Sequence, residues 1–243
     1  MVYVSVIIPS FNSAAVLKNN LPYLINYLKE KKYTFEIIVV DDGSLDNELT
    51  KQVAEELWCI YLKNEKNIGK GESVRKGMLH ATGKFRIFTD ADIPFNAEAI
   101  EQFLHYLDEK EFDLAIGDRT LTESSYFNSK SGLRNIASKG FSFFVGRFVA
   151  GGMFDTQCGI KGFKAEVAKD LFSVGRVKGF TFDVELLYIA LKRNYDIKRL
   201  PVTLRSQEGQ SVKLLLHSFT MMADLLKIKF NHVAKKYERK NQK

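Results

Sequence analysis

Two aspartates separated by one residue, Asp90 and Asp92, are the best candidates for chemistry in this sequence. They follow the apolar run from Phe85 to Phe88, which is typical of a buried strand, and residues spaced by two on an extended backbone point to the same side. Mg²⁺ and Mn²⁺ prefer such oxygen ligands, and an ion held by only two carboxylates keeps positions for phosphate oxygens. The spacing therefore predicts a divalent metal site that binds a diphosphate. The alternative is that both aspartates only cap the helix that starts near Asn96.

The sequence around this pair alternates between strand and helix patterns. Strand patterns begin at residues 2, 35, 59 and 85, and the first three are each followed by an apolar periodicity typical of a helix. This alternation predicts an α/β fold with a mostly parallel central sheet flanked by helices, and a ligand at the carboxyl ends of the strands. Acidic residues close two of these strands, with Asp41 and Asp42 after the second and Asp90 after the fourth. Farther on, residues from Leu133 to Val149 predict another helix.

The bulk composition is that of one globular domain. The chain has 243 residues, of which 45% are hydrophobic, which is enough for a full α/β core. We expect one domain over residues 1–210, made of a first half, 1–117, and a second half, 118–210, and then a separate segment, 211–243. The chain begins on a strand pattern without a signal peptide, and no apolar run reaches the roughly 20 residues that span a bilayer. These features predict a cytoplasmic protein without a transmembrane helix.

Several common motifs are absent. The spacing Gly69-x-Gly71 lacks a third glycine at position 74, which is Val74, and no GxxxxGK[ST] occurs. Neither a dinucleotide-binding fingerprint nor a P-loop is therefore indicated. Cys59 and Cys158 are far apart and belong to no Cys/His cluster, so a disulfide framework and a zinc site are not indicated either. We expect both thiols to be reduced and buried.

The segment after Arg205 is basic and amphipathic. The whole chain has a net charge of +7, and most of this excess lies in that segment. Its apolar residues recur at helical spacing, as Val212, Leu215, Phe219, Met222, Leu226, Phe230 and Val233. Such a helix can lie in a membrane interface, or pack on the protein core or on a second subunit. Nucleic-acid binding is not indicated, because no recognisable binding module is present.

A group of short motifs carries a family resemblance. The motifs, in chain order, are VSVIIPSFN, IIVVDDGS, NIGKGESVRKGM, FTDAD, GDR, DTQCGIKGF and FDVEL. Together they resemble the family 2 glycosyltransferases of GT-A fold, and more narrowly the dolichyl or polyprenyl phosphate sugar synthases. The DTQCG and FDVELL segments are most similar to the dolichyl-phosphate glucosyltransferases. The resemblance extends from about Val4 to Lys213.

This resemblance implies a set of site residues. The first half of the domain would bind the nucleotide sugar, and the second half would bind the acceptor. The residues implied to bind the nucleotide sugar are Pro9, Phe11, Asp41, Asp42, Asn67, Lys70, Asp90, Ala91, Asp92 and Arg119. Those implied to bind the acceptor are Arg134, Lys139, Arg205 and Lys213. Asp92, Arg119 and Arg134 are the implied catalytic residues, and Asp90 and Asp92 are the implied ligands of Mg²⁺ or Mn²⁺.

The implied reaction is an inverting, metal-dependent transfer of a hexose, glucose from UDP-glucose, to a polyprenyl or dolichyl phosphate. An acceptor phosphate is already ionised at neutral pH and needs no strong base. If the acceptor were a sugar hydroxyl, a base would be needed, and Asp155, Asp183 and Glu185 are the candidates.

Two other functions are alternatives to this reaction. A mannosyl transfer from GDP-mannose is disfavoured by Pro94, because mannosyl relatives often have a Gln there. A catalytically silent, membrane-associated protein that binds glycans or nucleotides is the alternative outside enzymes. We expect peripheral attachment at the inner face of the membrane, while the oligomeric state stays open.

Overall fold

The computed structural model describes residues 1–46, 48–125, 151–153, 155–205 and 214–238. The predicted helix from Leu133 to Val149, with Arg134 and Lys139, lies outside the described residues, and so does Lys213. The described strands are β1 Val4–Ser10, β2 Phe35–Asp41, β3 Ile60–Lys63, β4 Phe85–Thr89, β5 Leu114–Gly117, β6 Ile160–Lys164 and β7 Ile197–Leu200. The described helices are α1 Ala14–Glu30, α2 Leu49–Glu56, α3 Lys70–His80, α4 Glu98–Asp108, α5 Ala165–Val174, α6 Phe182–Lys192 and α7 Leu214–Val233.

All described strands belong to one sheet, in the order β3-β2-β1-β4-β6-β5-β7. Strand β1 is parallel to β2 and β4, β2 is parallel to β3, and β5 is parallel to β7. Among the described strands, only β6 runs antiparallel to its neighbours, which are β4 and β5. The prediction of a mostly parallel sheet in a single α/β domain is confirmed. The proposed boundary between its halves, after residue 117, stays a prediction.

The core consists of two apolar layers, one on each face of the sheet. Neighbouring residues of the central strands alternate between the layers, as the pleat of a strand requires. One layer, which also contains side chains of α3, α5, α6 and α7, includes the strand residues Ile7, Ile38, Val40 and Phe88. The other, which contains side chains of α1, α2 and α4, includes Val6, Ile8, Val39 and Ile87. Strands buried on both faces explain why β1 and β2 are nearly continuous apolar runs.

Two helices have notable backbone features. Helix α1 begins at Ala14 and contains Pro22 in its interior. Helix α2 begins at Leu49, because Glu48 has a left-handed backbone with φ of 67° that helical geometry excludes.

One edge of the sheet gathers the segments that carry the predicted site. Ser10, the last residue of β1, pairs with Asp41 at the end of β2. Thr89, the last residue of β4, pairs with Ile160, the first residue of the antiparallel β6. The loops after β1, β2 and β4 therefore meet the loop that leads into β6. We call this side of the sheet the carboxyl edge.

The fold also places the two cysteines. Cys59 and Cys158 are both buried free thiols, as predicted. Within the described ranges, none of the helices has the length and apolar content that would let it cross a bilayer.

Candidate active site

The paired aspartates lie in a turn at the carboxyl edge. Strand β4 ends at Thr89, and the backbone N–H of Ile93 donates a hydrogen bond to the carbonyl of Asp90 at 2.9 Å. The prediction that Asp90 and Asp92 lie on extended backbone is therefore wrong. The turn nevertheless keeps the carboxylates close. The pKa of Asp92 is raised to about 6, mainly by burial and secondly by the negative charge of Asp90.

This pair of carboxylates fits a divalent cation. Asp92 Oδ1 is buried, and no hydrogen-bond partner for it is found among the described residues. A buried carboxylate oxygen without a donor, next to a second carboxylate, is stabilised by a positive charge. The described ranges contain no group of three or more His, Cys, Asp or Glu residues that could hold a metal ion. This turn offers two hard oxygen ligands. Such a pair suits Mg²⁺ or Mn²⁺ and leaves other coordination positions of the ion for a bound molecule.

Gly159 provides the space that the Asp90 carboxylate occupies. A Cβ atom built at Gly159 would lie 2.3 Å from Asp90 Oδ2, well inside van der Waals contact. Gly159 precedes Ile160, the residue that pairs with Thr89 across β4 and β6, so the backbone at 159 faces the turn. The sequence reasoning missed this role, although Gly159 belongs to the DTQCG motif that it singled out.

A chain of alternating charges lies behind the turn. Lys70, the first residue of α3, forms an ion pair with Asp90 Oδ1. Burial lowers the pKa of Lys70, but the negative charges of Asp90 and Asp183 outweigh it and the net shift is upward. Asp183 in turn lies 2.7 Å from Nζ of Lys161, whose side chain is completely buried. Burial raises the pKa of Asp183. The sequence reasoning did not single out Lys161, because a lysine inside a sheet has no local signature.

Asp42 organises the loop before α3. Its Oδ2 accepts a hydrogen bond from the backbone N–H of Gly69 at 2.8 Å, and its Oδ1 accepts one from Ile68 at 3.1 Å. Asn64 Nδ2 also donates to Oδ1, at 2.9 Å. Gly43 has a positive φ of 73°, and a Cβ there would lie 2.7 Å from the backbone N of Asn67. The segment around Asn67 thus lies directly against the end of β2.

The other residues implied to bind the nucleotide lie at the same edge. Asp41 is buried, and it accepts hydrogen bonds from Tyr61 Oη at 2.7 Å and from the backbone N–H of Ser44 at 2.8 Å. Pro9 is part of β1, and Phe11 follows it with 43% of its surface exposed. An exposed aromatic ring beside buried carboxylates is a suitable surface for a base and a ribose.

Asp41→Ala is expected to weaken the binding of UDP at least about tenfold, because a hydrogen bond to a charged group contributes about 1.5–3 kcal/mol. Calorimetric titration of UDP measures this. Tyr61→Phe is the matched control, because it removes one hydrogen bond to Asp41 and keeps the carboxylate. Equal UDP affinity in the Asp41→Ala variant and the parent protein would place the nucleotide elsewhere.

Arg119 is fixed by Asp155. The Arg119 side chain donates from Nε to Asp155 Oδ2 at 2.8 Å and from Nη2 to Oδ1 at 2.6 Å, and the backbone N–H adds a bond of 2.7 Å. Burial raises the pKa of Asp155, but the bonds and charge from Arg119 outweigh it, so that the pKa is lowered. The guanidinium plane is therefore held rigidly just beyond the end of β5.

Arg205 lies under the aspartate turn. Its guanidinium lies 4.4 Å from the ring centroid of Tyr23, and Nε donates to the carbonyl of Ile93 at 3.3 Å. Nη2 donates to Asn20 Oδ1 and, at 3.4 Å, to the carbonyl of Asp92. The resemblance implies that Arg205 binds the acceptor, and this role stays a prediction. The described contacts connect Arg205 to the backbone that carries Asp92.

Both carboxylate oxygens of Glu185 are held by hydrogen bonds within the protein. Its Oε2 accepts hydrogen bonds from the backbone N–H groups of Arg176 and Val177, both at 2.7 Å, and its Oε1 accepts one from Tyr237 at 2.5 Å. Burial raises the pKa of Glu185. These bonds connect α6 to the loop before it and to the chain segment after α7. Of the other implied acceptor residues, Arg134, Lys139 and Lys213 fall outside the described part of the chain.

Comparison with known proteins identifies the family. The profile of "Glycosyl transferase family 2" matches residues 5–172. Dolichyl-phosphate beta-glucosyltransferase from Dictyostelium discoideum is 33% identical over 250 residues, covering 96% of this chain and 75% of that protein. The protein of the same name from Saccharomyces cerevisiae is 30% identical over 252 residues, with the same coverages of 96% and 75%.

A solved structure shares the fold. Glucosyl-3-phosphoglycerate synthase from Mycobacterium tuberculosis, crystallised with Mn²⁺, UDP and glucosyl-3-phosphoglycerate, superposes with a TM-score of 0.68 at 18% identity. The match covers 93% of this chain and 79% of the synthase. At this identity the likeness concerns the fold, and the expected GT-A type is confirmed. The profile covers more than half of the chain and the relatives match almost all of it, so this protein is a glycosyltransferase of family 2.

Proposed function

We propose that the protein transfers glucose from UDP-glucose, with inversion, to a polyprenyl or dolichyl phosphate, and that transfer depends on Mg²⁺ or Mn²⁺. Relatives that match 96% of the chain are named as dolichyl-phosphate beta-glucosyltransferases, which supports both the sugar and the lipid phosphate. The carboxyl edge has the buried carboxylates and the exposed ring that a nucleotide sugar needs.

The observation that carries the proposal is the state of the three candidate bases. Asp155 is paired with Arg119 and its pKa is lowered, which makes it a weak base. Asp183 is buried and paired with Lys161, and both oxygens of Glu185 accept hydrogen bonds from the protein. Transfer to a sugar hydroxyl would need one of these groups to take a proton. A phosphate acceptor does not, because its oxygen is already ionised.

The reaction is then a displacement without proton transfer. A phosphate oxygen of the acceptor attacks the anomeric carbon of glucose from the face opposite the diphosphate. The bond between that carbon and the diphosphate oxygen breaks, and its electron pair leaves with UDP. Because no proton moves, catalysis consists of positioning and of stabilising the charge on UDP.

We assign the following roles to the chain. Asp41 and the loop that Asp42 holds would position the nucleoside, and Lys70 would place a positive charge beside the diphosphate. Asp155 would orient Arg119 toward the departing UDP. Asp90 and Asp92 would hold the divalent cation, which when bound supplies positive charge that offsets the charge of the leaving diphosphate. Arg134 and Lys139, by resemblance, would bind the acceptor phosphate.

The acceptor also implies a location. A polyprenyl phosphate resides in a membrane, so we propose that the protein attaches peripherally, at the inner face.

The proposal is tested by turnover of the full-length chain with matched acceptors. A short polyprenyl phosphate should support release of UDP from UDP-glucose, and the corresponding polyprenol, which lacks only the phosphate, should not. EDTA should stop the reaction, and GDP-mannose should replace UDP-glucose poorly. Equal turnover on the polyprenol or on a glycan would mean that a hydroxyl is the acceptor and that a base has been overlooked.

A further inference from the structure

The outer surface of α7 carries an apolar stripe. Leu226, Phe230 and Val233 are exposed by 69%, 64% and 79%. Their spacing of four and then three residues places them along one side of the helix. The alternative that this stripe packs on the protein core is therefore wrong for these three residues. We call them the α7 stripe.

The opposite side of α7 already meets the protein. Leu225, Ile228 and Asn231 are buried, and the first two belong to the apolar layer that includes α6. At about 100° of rotation per residue, Ile228 lies roughly 200° around the helix axis from Leu226, which is almost the opposite side. The packing of α7 on the described part of the chain therefore leaves the α7 stripe exposed. Exposed apolar groups that line up on one side of a helix indicate an interaction surface.

Lysines border the α7 stripe on both sides. By the same rotation, Lys227 lies about 100° from Leu226 in one direction and Lys229 about 60° from it in the other. Both are exposed. Lys229 Nζ lies 5.5 Å from the ring centroid of Tyr188, which places this ammonium group beside α6.

Two more exposed lysines follow the helix. Lys236 Nζ lies 5.4 Å from the ring centroid of Phe230, and Lys235 lies 3.6 Å from Glu238. Between residues 223 and 238 the acidic residues are Asp224 and Glu238, so four lysines face two carboxylates. The surface around the α7 stripe is therefore positively charged.

We infer that the α7 stripe and its bordering lysines dock the protein on an anionic membrane surface. The inference rests on the proposed lipid acceptor, and it adds the residues that make the contact. An apolar stripe between lysines is the pattern of a helix that lies in the plane of the interface, with side chains in the acyl region and ammonium groups among anionic headgroups. A second copy of the chain fits less well. Docking two stripes would bring the lysines of one copy against those of the other.

The test is flotation of the full-length protein with vesicles of equal parts phosphatidylcholine and phosphatidylglycerol. Replacing Leu226, Phe230 and Val233 together with Ser is expected to lower the ratio of bound to free protein at least about tenfold, because it removes the apolar area that enters the membrane. Lys227→Gln with Lys229→Gln should weaken flotation on these vesicles and leave weak binding to pure phosphatidylcholine unchanged. Raising the salt to about 1 M should release much of the protein, because charges are then screened within about 3 Å.

The control replaces two exposed apolar residues elsewhere, Leu49 and Trp58, with Gln. This variant should float like the parent protein. Substitution is preferable to deletion of α7, because Leu225 and Ile228 belong to the core and their loss would destabilise the domain. Equal flotation of the parent and the stripe variant would overturn the inference. So would a parent protein that does not float but self-associates in ultracentrifugation, with the stripe variant monomeric.

A second measurement separates this inference from the proposed function. The stripe variant should keep the parent turnover with a short, water-soluble polyprenyl phosphate, because none of its three residues belongs to the active site. A parent protein that floats through the stripe but does not glucosylate any polyprenyl phosphate would refute the acceptor and keep the docking surface. Loss of both flotation and soluble turnover in the stripe variant would show a folding defect and contradict the assignment of a separate surface.

Discussion

Asp92→Asn is expected to lower kcat for glucosyl transfer about a thousandfold, because in the proposed mechanism it removes one of the two carboxylates that would hold the metal at the diphosphate. The same change should leave Tm unchanged or raise it. Burial and the charge of Asp90 disfavour the ionised form of Asp92, and its Oδ1 has no hydrogen-bond partner among the described residues. A neutral amide therefore removes an unfavourable charge and breaks no described hydrogen bond of that oxygen. If Asp92 is a catalytic metal ligand, the Asp92→Asn variant should therefore lose activity and keep its stability.

The matched control for this prediction is Asp108→Asn. Asp108 ends α4 and pairs with Lys84, just before β4, at the edge of the sheet opposite the aspartate turn. This variant should keep its activity and lose a small part of its stability. Initial rates over a range of Mn²⁺ concentrations, with thermal unfolding of each variant, supply both readouts. Full activity of Asp92→Asn, or parent activity in the presence of EDTA, would remove the metal from the mechanism.

Gly159→Ala is expected to lower kcat about a hundredfold although it replaces no charged group. The added methyl would lie 2.3 Å from Asp90 Oδ2, so the carboxylate must move away from its place beside Asp92. A displacement of about 1 Å in a positioned group costs on the order of a hundredfold in rate. The backbone of Gly159 is not in the left-handed region, so alanine adds no conformational strain there. The loss should appear in kcat and in the Mn²⁺ requirement, with UDP affinity in the absence of metal retained.

Gly179→Ala is the matched control, because a methyl group there meets nothing within 4 Å. It should behave as the parent protein in every assay. If Gly159→Ala also shows parent kinetics, the Asp90 carboxylate has no fixed place in the reaction. If both variants lose activity equally, the loss comes from backbone stiffening and not from Asp90.

The sheet was predictable because its signals are local. The β-branched run of β2 and the apolar periodicity of α1 each occupy one continuous stretch, and burial on both faces makes a parallel strand apolar throughout. Short motifs then located Asp41, Asp42 and Asp90 at strand ends. Local signals failed where a distant residue decides the geometry.

The aspartate turn is the clearest such failure. Ile93 has a positive φ of 42°, which a β-branched residue rarely adopts, so propensity argues against a turn at this point. Arg205 stabilises it from 112 residues away, by donating to the carbonyl of Ile93. Asp42 likewise acts on Gly69, and Gly159 makes room for Asp90, across distances that no sequence window contains. The pairing of Lys161 with Asp183 is of the same kind.

The central claim, an inverting transfer of glucose to a lipid phosphate, is tested most directly by NMR of the product made from UDP-glucose and a short polyprenyl phosphate. The account predicts a phosphodiester between the anomeric carbon and the lipid phosphate, in the β configuration, with one UDP released for each glucose transferred. Because glucose is α-linked in UDP-glucose, a β product means a single displacement. An α-linked product, or glucose attached to a hydroxyl oxygen, would contradict the account.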